Sequence, residues 1–137
     1  MNKSLIGLVS AVALLATPAV AAEKIKIGFV TTITTPAGAM GRDMVDGAKI
    51  ALSHINGQMG GKEVEFIVED DGFKPEIGKQ KSDKLVKQDK VHFITGFIWS
   101  HVLLASRKSA LANDTFMISA NAGPSPVAGK LCHKNFF

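Results

Sequence analysis

The chain of 137 residues has one cysteine, Cys132. It therefore has no disulfide framework of its own and no thiolate zinc site. Its four histidines, at 54, 92, 101 and 133, stand at no zinc-like spacing with Cys132 or with any carboxylate. No Gly-x-Gly-x-x-Gly follows the first apolar segment, and there is no phosphate-binding loop. A nucleophile elbow is missing as well. Ser100 has Gly96 four residues before it and His101 directly after it, so the Gly-x-Ser-x-Gly frame fails. These absences count against nucleotide, dinucleotide and serine-hydrolase enzymes, and no catalytic residue, metal or cofactor is expected. Basic charge is in slight excess, 16 Lys+Arg against 12 Asp+Glu, but it is spread out. Lys79, Lys81, Lys84, Lys87 and Lys90 read as one solvated helix face. Basic residues interleaved with exposed aromatics, which a nucleic-acid partner would need, are lacking. There is no internal repeat and no low-complexity segment.

What is present begins with a leader. Lys3 supplies a positive start, residues 5–16 an apolar core, Thr17-Pro18 a break and Ala19-Val20-Ala21 a small-residue cleavage site. The apolar core is shorter than the roughly 20 residues of a membrane span, so stable membrane insertion is not expected. No cysteine follows the small residues to carry a lipid. Residues 1–22 are thus expected to be a signal peptide, and residues 23–137 an exported chain.

In that chain, Glu23 to Val30 alternates and then becomes continuously apolar, the pattern of a strand entering a buried sheet. A loop of small and hydroxyl residues follows. Next comes a helix with Met44, Ala48, Ala51, Leu52 and Ile55 on one face, ended by Asn56-Gly57 and Gly60-Gly61. Residues 62–71 form a second strand. Asp71-Gly72-Phe73-Lys74-Pro75 is a turn into a polar helix that carries Ile77, Leu85 and Val86. Adjacent Asp70 and Asp71 point to opposite faces at a strand end, which suits structural roles better than an acid/base pair.

The organising stretch is 91–101. It is an apolar strand that pauses at Gly96 and ends at Ser100, a good N-cap, before a helix with Val102, Leu103, Ala105, Ser106, Ala110 and Leu111. Residues 115–119 form a short buried strand, 120–126 a rigid loop, and 131–137 another extended piece that stops on two phenylalanines. The order βαβαβαβ with short connections predicts an α/β fold, a Rossmann-like parallel sheet with helices on both faces. Turns after Val30, Gly96 and Ser119 open on its carboxyl edge, where such sheets bind ligands. Trp99 lies at the middle turn, suited to plug the core or to wall a ligand.

These stretches together resemble the type I periplasmic solute-binding proteins of the branched-chain amino acid ABC transporter group. The resemblance is carried by the leader, Ile25-Lys26-Ile27-Gly28, the Gly41 helix start with Gly47-Ala48, and Gly60-Gly61. It continues through Glu69-Asp70-Asp71 to Pro75, Lys84-Leu85-Val86, Gly96, Ser100 and Phe116-Met117-Ile118-Ser119. It covers residues 23–137 and implies the first part of the first of two Rossmann-like lobes that close on a ligand without catalysis. It further implies a periplasmic receptor that delivers an amino acid or small carboxylic acid to the permease subunits of an ABC importer. Ser100 falls on the carboxylate-binding serine, flanked by Trp99; Met40 on an aromatic position; Asn121, Ala122 and Gly123 on a second patch. Where the family often has a hydroxyl residue, this chain has Gly123, with the hydroxyl displaced to Ser125. Trp99 and Phe97 at the cleft, with the softer Met40, suggest a larger or aromatic carboxylic acid. The competing classes are a ligand-sensing module of a receptor or regulator with this fold, and an exported α/β enzyme.

Overall fold

The computed structural model describes residues 23–137; the expected leader, 1–22, lies outside them. Five strands form one sheet: β1 (Ile25–Thr31), β2 (Gln58–Met59), β3 (Lys62–Asp70), β4 (Phe93–Thr95) and β5 (Phe116–Met117). Their spatial order is β2-β3-β1-β4-β5. β3, β1, β4 and β5 are parallel, as the sequence implied. The helices are α1 (Ala39–His54), α2 (Pro75–Lys87) and α3 (Ser100–Ala110). Beyond β5, Phe136 bridges Met117 in parallel, so the expected last strand is reduced to a short edge contact.

β2 was not expected. Gly60 and Gly61, read from sequence as helix terminators, instead make the two-residue turn of a hairpin that pairs Gln58 with Glu63 and Met59 with Lys62. Both glycines have positive φ, +56° and +77°, as the mirror-image hairpin turn demands.

Register divides the side chains between two faces. Gly28, Val30, Ile67, Ile94 and Met117 share one face, and Ile27, Phe29, Phe66, Phe93 and Phe116 the other. The first face carries the main core, where Val30, Ile94 and Met117 meet Leu85 and Val86 of α2 and Val102 and Leu103 of α3. Right-handed crossovers place α1 on the opposite face, because β3 lies on one side of β1 and β4 on the other. The buried stripe of α1 runs through Gly41 and Val45 with half-buried Ala48 and Leu52. Of the expected face, Met44, Ala48 and Leu52 are half-buried, whereas Ala51 and Ile55 are exposed.

The lysines of α2 are not a uniform solvated face. Lys81 and Lys84 both reach Glu69 on β3, at 2.7 and 2.6 Å, while Lys79 and Lys87 pair with Asp83. Their charge is largely matched locally.

Candidate functional site

The strand order reverses between β1 and β4, since the chain leaves β1 toward β3 on one side and returns to β4 on the other. Such a switch point opens a crevice at the carboxyl ends of the strands. Three loops meet there: 32–38 after β1, 71–74 after β3 and 96–99 after β4.

Each loop is shaped by its own residues. Gly96 has φ +96°, and a Cβ there would stand 2.6 Å from the Phe29 ring, so only glycine lets the chain turn off β4 at this point. Gly41 allows a backbone approach, because a Cβ on it would collide with the Thr32 carbonyl oxygen. That contact seats the first turn of α1, and with it exposed Met40, beside the β1 loop.

The two aspartates organise these loops. Asp70 accepts from the Ile33 N–H at 2.9 Å, the Thr34 hydroxyl at 2.5 Å and the Gly72 N–H at 3.0 Å. Burial pushes its pKa up, but these hydrogen bonds outweigh that and hold it below the ordinary value. Asp71 is completely buried. Its Oδ1 accepts from the Thr32 hydroxyl at 2.5 Å and the Phe73 N–H at 2.8 Å, and its Oδ2 has no partner. Burial dominates here and raises the pKa, against those two hydrogen bonds. The structural role expected for the pair is what the hydrogen bonds describe.

Trp99 is half-buried. Its indole N–H donates to the Thr32 hydroxyl at 2.9 Å, and Phe73 packs edge-on against it at 4.8 Å between centroids. His101 also packs edge-on with Phe73, at 5.0 Å between centroids. Phe97, expected at the cleft, is instead fully buried in the core, because Gly96 turns the following side chain inward beneath the loop.

Ser100 is exposed, and it is the first helical residue rather than the N-cap. The N-cap is Trp99, with extended φ/ψ of −104° and 129° and no side-chain capping bond. The first helical bond runs from the Leu103 N–H to the Trp99 carbonyl at 2.9 Å. The N–H groups of Ser100, His101 and Val102 therefore have no intrahelical acceptor. The capping role that competed with ligand binding for the Ser100 hydroxyl is absent.

In the fourth loop, the exposed Asn121 amide donates to the Ile98 carbonyl at 3.0 Å. Ala122 is buried, and its N–H is already committed to the Phe97 carbonyl at 3.1 Å. Ala122 thus joins two loops, and Gly123, exposed with open space around its Cα, is left as the accessible position of the pair. Phe73 was missed in the sequence. Its signal was the Asp-Gly-x turn, where an aspartate bonding the N–H two residues on carries the third residue into left-handed space.

A groove of about 780 Å³ lies at the opposite, amino edge, lined by Lys24, Met59, Lys62, His92, Phe93 and Phe116 among others. Lys24 and Lys62 there are tied to Glu63 and Glu23. It lies away from the switch point and from every candidate residue above. Among the described residues no group of three or more metal-ligating side chains is assembled.

Comparison with known proteins matches this architecture. The sequence profile of the periplasmic binding protein family matches residues 24–137, and the chain belongs to that family. It is 30% identical over 113 residues to the Leu/Ile/Val-binding protein BraC3 of Rhizobium johnstonii, spanning 81% of this chain and 30% of that protein. An ABC transporter substrate-binding protein from Sphaerobacter thermophilus superposes with a TM-score of 0.79 at 31% identity, covering 84% of this chain and 32% of its own. A solute-binding protein of an ABC transporter from Rhodopseudomonas palustris, in complex with 3,4-dihydroxybenzoic acid, gives 0.72 at 26%, covering 76% and 29%. The chain spans about a third of the length of these relatives.

Proposed function

We propose that this chain supplies one wall of the ligand site in the substrate-binding component of an ABC importer, and that the ligand is an amino acid or a small carboxylic acid, aromatic acids included. The observation that supports it is the state of Ser100. Its hydroxyl is exposed, unused by the helix, and set at the N-terminus of α3 on the switch point. A carboxylate there takes hydrogen bonds from the hydroxyl and the unsatisfied N–H groups, and the helix dipole adds to the attraction.

The relatives divide between two ligand chemistries, Leu/Ile/Val by the name of one and a dihydroxybenzoate in the structure of another. Trp99 and Phe73 form an aromatic corner beside Ser100 that suits a flat ring or a branched side chain. The rest of the reading is that the chain forms the opening part of the first lobe, that residues 1–22 direct export to the periplasm, and that the loaded protein docks on permease subunits. No reaction is assigned; the ligand leaves unchanged. No helix among the described residues is long and apolar enough to cross a membrane.

Calorimetric titration of the full-length protein with leucine and with benzoate tests the reading. Binding of either, weakened in Ser100→Ala, supports it. A wild-type protein that binds neither, nor any other carboxylate in a broader screen, would overturn it. Permease and ATPase genes beside its own would favour the importer over a sensor of the same fold.

A further inference from the structure

The aromatic corner is held by one atom. Asp71 Oδ1 accepts from the Thr32 hydroxyl and from the Phe73 N–H, and the Thr32 hydroxyl in turn accepts from the Trp99 indole. Loops after β1 and β3 therefore meet at a single buried carboxylate oxygen, and the loop after β4 joins them through Thr32. Phe73 is an unusual residue to find at φ +65°, since a bulky side chain is disfavoured in left-handed space. The bond from its N–H to Asp71 closes the turn that holds it there; the residue is 44% exposed, and its ring stands nearly perpendicular to Trp99 with an interplanar angle of 85°.

We propose that Asp71 is a positioning residue for ligand binding. Acting through Thr32 it fixes the orientation of the Trp99 indole, and through the Phe73 N–H it fixes the second ring, so that Phe73 and Trp99 together determine which ligand side chain fits. The inference rests on reading the Ser100 turn as the ligand site. The chemistry of each link favours it. A threonine hydroxyl both donates and accepts, so it can pass orientation from a carboxylate to an indole, which only donates. Valine at 32 would keep the shape and lose both bonds. Serine would keep both.

The test is the indole N–H of Trp99 in the full-length protein, its resonance assigned by its disappearance in Trp99→Phe. Hydrogen exchange of that proton should accelerate by about 2- to 10-fold in Thr32→Val, the loss of one neutral hydrogen bond, and stay at the wild-type rate in Thr32→Ser. Asp71→Ala should accelerate it as well; if that variant does not fold, Thr32→Val and Thr32→Ser decide. Unchanged exchange in Thr32→Val overturns the tether. In titrations with leucine and benzoate, Thr32→Val should weaken binding by about 2- to 10-fold, with Thr32→Ser restoring it. A lowered melting temperature with unchanged affinity would make Thr32 and Asp71 merely structural and overturn the positioning role. Failure of the wild-type protein to bind either probe would count against the site itself, and exchange of the indole proton would still judge the tether without any ligand.

Discussion

Ser100 carries the clearest expectation at the scale of single residues. Because its side chain caps nothing, Ser100→Ala should leave stability within about 0.5 kcal/mol of wild type. Loss of a charge-assisted hydrogen bond to a carboxylate is worth about 1.5–3 kcal/mol, hence roughly 10- to 150-fold in affinity. Measuring melting temperature and affinity on the same variant checks both halves. A second expectation concerns pH. At Glu69 burial pushes the pKa up, but hydrogen bonds from Lys81 and Lys84 outweigh it and hold the group below 4.5. Its contribution to stability is therefore complete above about pH 4.5 and is lost as pH falls through the depressed value. Asp71 has the opposite sign. With its pKa raised by burial, it favours the fold while protonated, and that contribution is lost as pH rises through the raised value. Denaturant unfolding across pH 3 to 7, a range on the order of the carboxylate pKa values, should show Glu69→Gln flattening the acid limb and Asp71→Asn removing the opposing trend. Of these residues, Ser100 and Trp99 were legible in the sequence because a strand-turn-helix pattern marks its own turn. Phe73 was not, because its place depends on a hydrogen bond to Asp71 and on a ring from another loop.

At the scale of elements, the β4–α3 turn depends on Gly96. Alanine there would have to hold a positive φ, at about 1–3 kcal/mol of backbone strain, before any account of a methyl group 2.6 Å from the Phe29 ring. Gly96→Ala should accordingly lower the unfolding free energy by at least that much and displace Trp99, read together by denaturant titration and indole emission. Apolar runs announce β1 and β4, and alternation of Val64, Phe66 and Val68 with acidic residues announces β3, so all three were visible. The two-residue β2 was hidden because it has almost no pattern of its own; only the Gly60-Gly61 turn reveals it. On α1 the sequence marked Met44, Ala48 and Leu52, which are half-buried, but not Val45, which is buried deeper; both Met44 and Val45 are apolar, and packing rather than periodicity chooses between them.

For the whole molecule, the chain's share of its relatives' length matters most. We propose that the other side of the cleft comes from a second lobe. The 137-residue chain by itself is then expected to hold leucine or benzoate more weakly than micromolar, since a ligand against one open wall stays hydrated. Calorimetry on that chain checks it. The face of the sheet shared with α1 is only partly covered: Phe93 stacks on Phe116, and Phe137 lies tilted beside Phe116, with Phe116 41% and Phe137 66% exposed. Such a patch invites self-association. Phe116→Lys with Phe137→Lys should reduce light scattering by the isolated chain while leaving its melting temperature nearly unchanged.

The hydrogen bond between Trp99 and Thr32 joins residues 67 apart in sequence. Its two ends meet only after β1 has paired with β4, and Thr32 is oriented only after β3 has brought Asp71 alongside. Closing so long a loop is entropically costly, and contacts of this kind form late. Trp99 is also the sole tryptophan of the chain, which has no tyrosine, so indole emission reports on one place. In stopped-flow refolding the native emission of Trp99 should therefore trail the recovery of helical circular dichroism. The indole becomes a clock for the joining of three strands, set by order of assembly rather than by collapse.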